Sequence, residues 1–187
     1  SIKIEPCQHV ALLGRVGSGK STLLRLMAGL YTPLGGSVRL DGVELQQIEP
    51  AEVRSCMGYV GQDPQLFMGT LRENMVLSET WISDTKIIEV LKSLNLYEMV
   101  AAHPRGLNMS ITEAGGGLSG GQRQLLSIAR MMLRDPQLVY MDEPTANMDG
   151  AIDYDGAFNI SGGLLVAAGS AGMPAAPGQS SPQNSVL

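Results

Sequence analysis

Val10-Ala-Leu-Leu13-Gly14-Arg-Val-Gly17-Ser18-Gly19-Lys20-Ser21-Thr22-Leu23-Leu24 joins three kinds of local pattern in one stretch. Val10 to Leu13 is a short apolar run ending on glycine, whereas Leu23, Leu24, Met27 and Leu30 recur at helical spacing. The order is therefore strand, glycine-rich turn, helix. Gly14 to Ser21 has the spacing of a phosphate-binding loop and sits in the strand-to-helix context that the spacing requires. The chemistry follows from the residue types. Amides of a glycine-rich turn and of a helix N-terminus converge on a polyphosphate, a lysine neutralises the outer phosphates, and a serine hydroxyl suits Mg2+. A flexible turn with an exposed lysine is the plain alternative, and it leaves the two flanking elements unexplained.

Outward from this stretch, strand and helix patterns alternate. Ser37 to Leu45 alternates on both sides of Asp41-Gly42, a hairpin signal. Met57-Gly-Tyr-Val60 reads as a strand, Thr70-Leu-Arg-Glu73 as a capping box, and Ile87, Val90, Leu91 and Leu94 as one apolar helical face behind an N-cap at Ser83. Leu138-Val-Tyr-Met141 is a second buried-type strand, followed by Asp142 and Glu143. Such alternation predicts an α/β domain with a parallel sheet and helices on its faces. It also places two carboxylates at the C-terminal end of a core strand, where open α/β sheets bind ligands.

Leu118-Ser119-Gly120-Gly121-Gln122 precedes an amphipathic helix carrying Leu125, Ile128, Ala129 and Met132. Ser119 and Gln122 suit a capping box at any helix start. The box does not explain two glycines in a first turn, where they lower helix propensity. Bare amides at a helix N-terminus suit a phosphate, so the segment reads as a second anion site.

Together these motifs resemble the nucleotide-binding domain of ATP-binding cassette (ABC) transporters over residues 1–149. The resemblance implies a P-loop NTPase fold: a RecA-like core sheet, a small antiparallel β element and a helical subdomain. It makes Gly14, Gly17, Ser18, Gly19, Lys20, Ser21 and Thr22 the ATP contacts, Ser21, Gln62 and Asp142 the Mg2+ set, and Gln62 and Glu143 the catalytic pair. Leu118 to Gln122 corresponds to the signature motif and Ala146-Asn-Met-Asp149 to the D-loop. The implied partners are a second such domain, head to tail, with ATP clamped against Ser119, Gly120, Gly121, Gln122 and Asp149, and a transmembrane permease. Tyr59 to Asn74 is similar to the Q-loop of exporters and Thr112-Glu113-Ala-Gly to their X-loop. Gly14-Arg-Val-Gly-Ser-Gly and Ile111 to Leu118 are similar to type I protein secretion ATPases, which implies the cytoplasmic side of the inner membrane.

Departures from the family pattern imply a copy truncated at both ends, with weak or no turnover. No aromatic residue precedes Gly14, and the only histidines, His9 and His103, lie before Leu138, so neither the adenine-stacking residue nor the switch histidine has a counterpart. A module that binds nucleotide without hydrolysing it is thus one alternative. A DNA-repair or chromosome-organising relative is another, and the absence of heptads between Gly19 and Ser119 argues against it.

Composition bounds the rest. The 187 residues are 44% hydrophobic and 17% charged, as in a folded soluble protein, and a net charge of -5 offers no field for a nucleic-acid backbone. Two cysteines fall short of a disulfide framework, and no apolar run approaches the roughly 20 residues of a membrane span. Residues 150–187 hold only two charges, Asp153 and Asp155, and form a separate, irregular tail of non-family sequence. Within it, Gly162 to Ala168 is predicted to pair with the sheet, and disorder is predicted past about Gly169.

Overall fold

The computed structural model describes residues 2–63, 65–143, 164–170 and 184–186. In chain order the elements are β1 (His9–Gly14), α1 (Lys20–Met27), β2 (Arg39–Leu40), β3 (Val43–Glu44), α2 (Pro50–Cys56), β4 (Met57–Val60), β5 (Gly69–Thr70) and α3 (Leu71–Val76). They continue with α4 (Asp84–Ser93), α5 (Tyr97–Ala102), β6 (Ser110–Ile111), α6 (Gly120–Leu133), β7 (Leu138–Asp142), β8 (Leu164–Ser170) and β9 (Asn184–Val186). Two compact units result. Residues 2–62 and 136–143 with β8 and β9 make the first, and residues 63 and 65–135 the second.

The first unit is built on a five-stranded parallel sheet of order β4-β7-β8-β1-β9. All five residues of β7 are buried, which is why that strand reads as a continuous apolar run rather than an alternating one. Met57 pairs with Leu138 and Val60 with Met141 in this sheet. Val10, Leu12, Leu24, Ala28, Leu138 and Tyr140 form its core, and the Tyr140 hydroxyl donates to the Met27 carbonyl at 3.1 Å. Burial pushes that phenol's pKa well above its ordinary value.

Helix α1 stops earlier than its apolar spacing predicts. Gly29, at φ 69, reverses the chain, with Gly29 N donating to Leu26 O and Leu30 N to Arg25 O, a Schellman closure that leaves Leu30 53% exposed. The predicted hairpin forms as β2 and β3. Asp41 (φ 50) and Gly42 (φ 83) supply the two positive φ values of a type I′ turn.

The pairing predicted within Gly162 to Ala168 forms as β8, and the irregularity predicted past Gly169 is corrected by β9. β8 occupies the sheet between β7 and β1, starting two residues after Gly162, and β9 pairs with β1 beyond the point where order was predicted to end. The reason is backbone hydrogen bonding. The facing edges of β1 and β7 carry donors and acceptors that need partners, and Leu164-Leu-Val-Ala-Ala168 can adopt strand geometry to supply them.

In the second unit, α3, α4, α5 and α6 pack around Leu71, Met75, Ile87, Leu91, Leu126, Ala129 and Leu133. All three predicted caps are present. Thr70 and Ser119 form complete capping boxes with Glu73 and Gln122, and Ser83 Oγ accepts from Lys86 N. A two-residue antiparallel ladder, β5 with β6, has no counterpart in the sequence reading. Arg130 of α6 donates to Gln65 O at 3.1 Å and Asn74 Oδ1 at 3.2 Å, and its guanidinium lies 5.5 Å from the Phe67 ring centre. It thereby ties the 65–74 stretch to the helix.

Candidate functional site

β1 delivers the chain to Gly14, where an added Cβ would stand 2.7 Å from Ser18 Oγ. Gly17 (φ 80) and Gly19 (φ 90) then take backbone conformations that disfavour a side chain, and the space beside them is open. Lys20 closes the loop by donating from Nζ to Gly14 O at 2.9 Å and Arg15 O at 3.1 Å. Gly19 is the N-cap of α1 and provides no side-chain cap. The result is an open glycine-rich turn at a helix start with an ammonium folded across it, a geometry suited to a polyphosphate.

Asp142 closes β7 with only 1% of its surface exposed, and a buried carboxylate needs hydrogen-bond partners. Ser21 Oγ donates to its Oδ1 at 2.9 Å, and the Tyr59 hydroxyl donates to its Oδ2 at 3.3 Å. Burial raises the Tyr59 pKa and the Asp142 charge adds to the rise, while Arg25, donating from Nε to the phenol oxygen at 3.4 Å, opposes it. Beside this group, Gln62 Nε2 donates to Glu143 Oε2 at 2.8 Å, and Glu143 adopts a φ of 47. Gly14 to Thr22, Gln62, Asp142 and Glu143 thus all belong to the first unit, as the site reading needs.

Among the described residues no group of three or more His, Cys, Asp and Glu could hold a metal ion. A cation here would therefore complete its shell with phosphate and water oxygens. Ser21 Oγ and Asp142 Oδ1 fit that chemistry, since their 2.9 Å separation equals the spacing of adjacent oxygens around Mg2+ at bond lengths of about 2.0–2.1 Å.

Ser119 to Gln122 lies in the second unit. Ser119 N donates to Gln122 Oε1 at 2.9 Å and Gln122 N to Ser119 Oγ at 3.1 Å, leaving Gly120 and Gly121 as the first residues of α6. Ahead of them, Gly115 sits at φ 73 where a Cβ would meet Arg123 Cδ at 2.7 Å, and Arg123 Nη1 donates to Leu118 O at 2.7 Å. Asp149 lies outside the described residues. Two residues of the Asp142 network are not among the predicted site residues: Tyr59, which only opens the stretch similar to the exporter Q-loop, and Arg25, a last-turn helix cation.

Comparison with known proteins agrees with this geometry. The family profile described as "ABC transporter" matches residues 1–146. The chain belongs to the ABC transporter family. It is 37% identical over 151 residues to the ABC multidrug transporter mdr1 of Aspergillus fumigatus, covering 80% of this chain and 11% of that protein. It is 39% identical over 142 residues to the uncharacterized ABC transporter ATP-binding protein YfiC of Bacillus subtilis, covering 76% and 24%. Its structure is similar to that of a bacterial Atm1-family ABC exporter with ATP bound, at a TM-score of 0.80 and 27% identity over 87% of this chain and 29% of that one. The mixed α/β P-loop fold is the one predicted from sequence, and the family's enzymatic class is ATPase. This ABC chain spans between a tenth and a quarter of the length of these curated relatives. Among its described residues no helix is long and apolar enough to cross a membrane.

Proposed function

We propose that this ABC domain binds MgATP at Gly14 to Thr22 and hydrolyses it to drive export. The carrying observation is the joined pair Ser21–Asp142 beneath an open glycine loop, with Gln62 and Glu143 hydrogen-bonded next to it. In this reading the loop amides and Lys20 hold the phosphates, while Ser21, Asp142 and Gln62 hold Mg2+. The cation would neutralise developing phosphate charge and orient the outer phosphate. Glu143 positions and deprotonates the attacking water, and the Gln62 amide fixes its carboxylate.

ATP sits between two copies in this reading, so Ser119, Gly120, Gly121, Gln122 and Asp149 of one copy would complete the loop site of the other. The exporter resemblance and the exporter-type structural likeness support a permease partner and a place on the cytoplasmic face of a membrane. For cargo, the wording around Gly14 and Ile111 supports type I protein secretion, while likeness to the Aspergillus multidrug transporter supports multidrug export. Placing the domain on each kind of permease and measuring transport-coupled phosphate release separates the two.

The direct test measures MgATP binding by calorimetry and phosphate release by a coupled assay. Binding with turnover that depends on Glu143 supports the reading. Binding without any phosphate release selects the non-hydrolysing module, and absence of binding overturns the proposal.

A further inference from the structure

Ser21, Asp142, Tyr59 and Arg25 form one polar chain drawn from three elements: α1, β7 and β4. Hydrogen-bond chemistry fixes its direction. Arg25 can only donate and an ionised Asp142 can only accept, so the phenol accepts from Arg25 and spends its single proton on Asp142 Oδ2. Ser21 meets the other oxygen, Oδ1. The two carboxylate oxygens are therefore not equivalent: Oδ2 is held by a strand residue and Oδ1 is directed at the helix that opens the nucleotide loop. Arg25 is itself held, with Nη1 donating to the Tyr31 hydroxyl at 3.4 Å and its guanidinium 5.8 Å from that ring's centre.

We propose that Tyr59, braced by Arg25, is a positioning residue that occupies Asp142 Oδ2 and so restricts the carboxylate to a single oxygen toward the metal, a selectivity device favouring Mg2+ over Ca2+. The proposal rests on the MgATP reading of the same site. Its logic is coordination chemistry. Mg2+ demands near-ideal octahedral geometry from single oxygens, whereas Ca2+ tolerates six to eight ligands and readily takes a carboxylate through both oxygens. A carboxylate whose second oxygen is tied down suits the smaller ion and denies the larger one its bidentate mode. Releasing Oδ2 removes that discrimination.

The experiment loads the full chain with ADP and Mn2+, follows bound Mn2+ by electron paramagnetic resonance, and displaces it with Mg2+ or Ca2+. In Tyr59→Phe the apparent Mg2+ affinity should fall by about tenfold, the size of one hydrogen bond to a charged group. Ca2+ affinity should change by less than about threefold, because the freed oxygen becomes available to it. Arg25→Gln, a surface change on α1, should narrow the Mg2+ over Ca2+ ratio in the same direction by a smaller factor. It carries the test by itself if Tyr59→Phe does not fold. An unchanged ratio in every variant that folds, whether or not both affinities fall, overturns the positioning role and leaves the nucleotide reading intact. Failure of the unaltered protein to retain Mn2+ with ADP overturns both.

Discussion

Helices α1 and α6 both begin at turns rich in serine and glycine, yet α1 has no side-chain cap and α6 has a complete box. At α6, Ser119 and Gln122 satisfy each other's amides. At α1 the N-cap is Gly19 in the left-handed region, which brings no acceptor of its own. An uncapped start is a standing deficit that a phosphate can fill, whereas a capped start is stable alone and can only lend its remaining amides to a neighbour. This asymmetry suits a primary nucleotide site at α1 and an accessory role for α6.

The largest expected effect tests whether α1 is the reacting end. Glu143→Gln should remove the low phosphate release expected of this chain, since a positioned general base is usually worth about 10²–10⁴ in rate, while ATP affinity measured by calorimetry persists. An unchanged rate would remove Glu143 from the mechanism. Next, Lys20→Ala should weaken MgATP binding by at least about tenfold, since the loop loses its cation. Equal affinity of variant and parent would erase the distinction between the two helix starts.

Smaller effects sharpen the structural half of the contrast. Ser119→Ala should lower folding stability by about 1 kcal/mol in a denaturant titration, as loss of an N-cap does elsewhere. Gly19→Ala should lower it by about 1–2 kcal/mol for a different reason, the left-handed φ forced on a side chain. If the two losses were reversed in cause, a Ser119→Thr change would fail to restore stability. The smallest effect belongs to the Thr70–Glu73 box. Hydrogen bonds from Thr70 N and Oγ hold the exposed Glu73 carboxyl below its ordinary pKa of 4.5. Its contribution is thus present above pH 4.5 and fades as pH falls through the lower folded value. Thr70→Ala should flatten that acid-side slope in a pH series of melting temperatures.

What the sequence made legible is local. The glycine loop, the Asp41-Gly42 turn and the three caps each need residues close to one another along the chain, so pattern alone finds them. The site's decisive contacts are not of that kind. Ser21 meets Asp142 across 121 positions and Tyr59 meets it across 83, distances that leave no periodic trace. The resemblance of motifs brought Asp142 beside the loop and put Tyr59 at the edge of the Q-loop stretch, but it gave Tyr59 no role, and nothing pointed to Arg25. The end of α1 at Gly29 was hidden by Leu30, which continues the apolar spacing while the backbone turns away. The β5–β6 ladder and β9 were hidden because two or three residues are too few to show an alternation.

β8 sets a timetable for synthesis. The strand that carries the loop and the strand that carries Asp142 are separated by one that the ribosome makes later than either. β1 and β7 stand two strand spacings apart, roughly 9–10 Å, and β8 fills that interval. At translation rates of about 5–20 residues per second, the described part of the second unit is complete once residue 135 has emerged, and it can condense on its own contacts. Ser21 and Asp142 must wait until Ser170 has cleared the exit tunnel. Ribosome-bound chains ending before Leu164 should therefore carry a protease-resistant helical unit and no nucleotide pocket, and the pocket should appear in a single step as that strand enters the sheet.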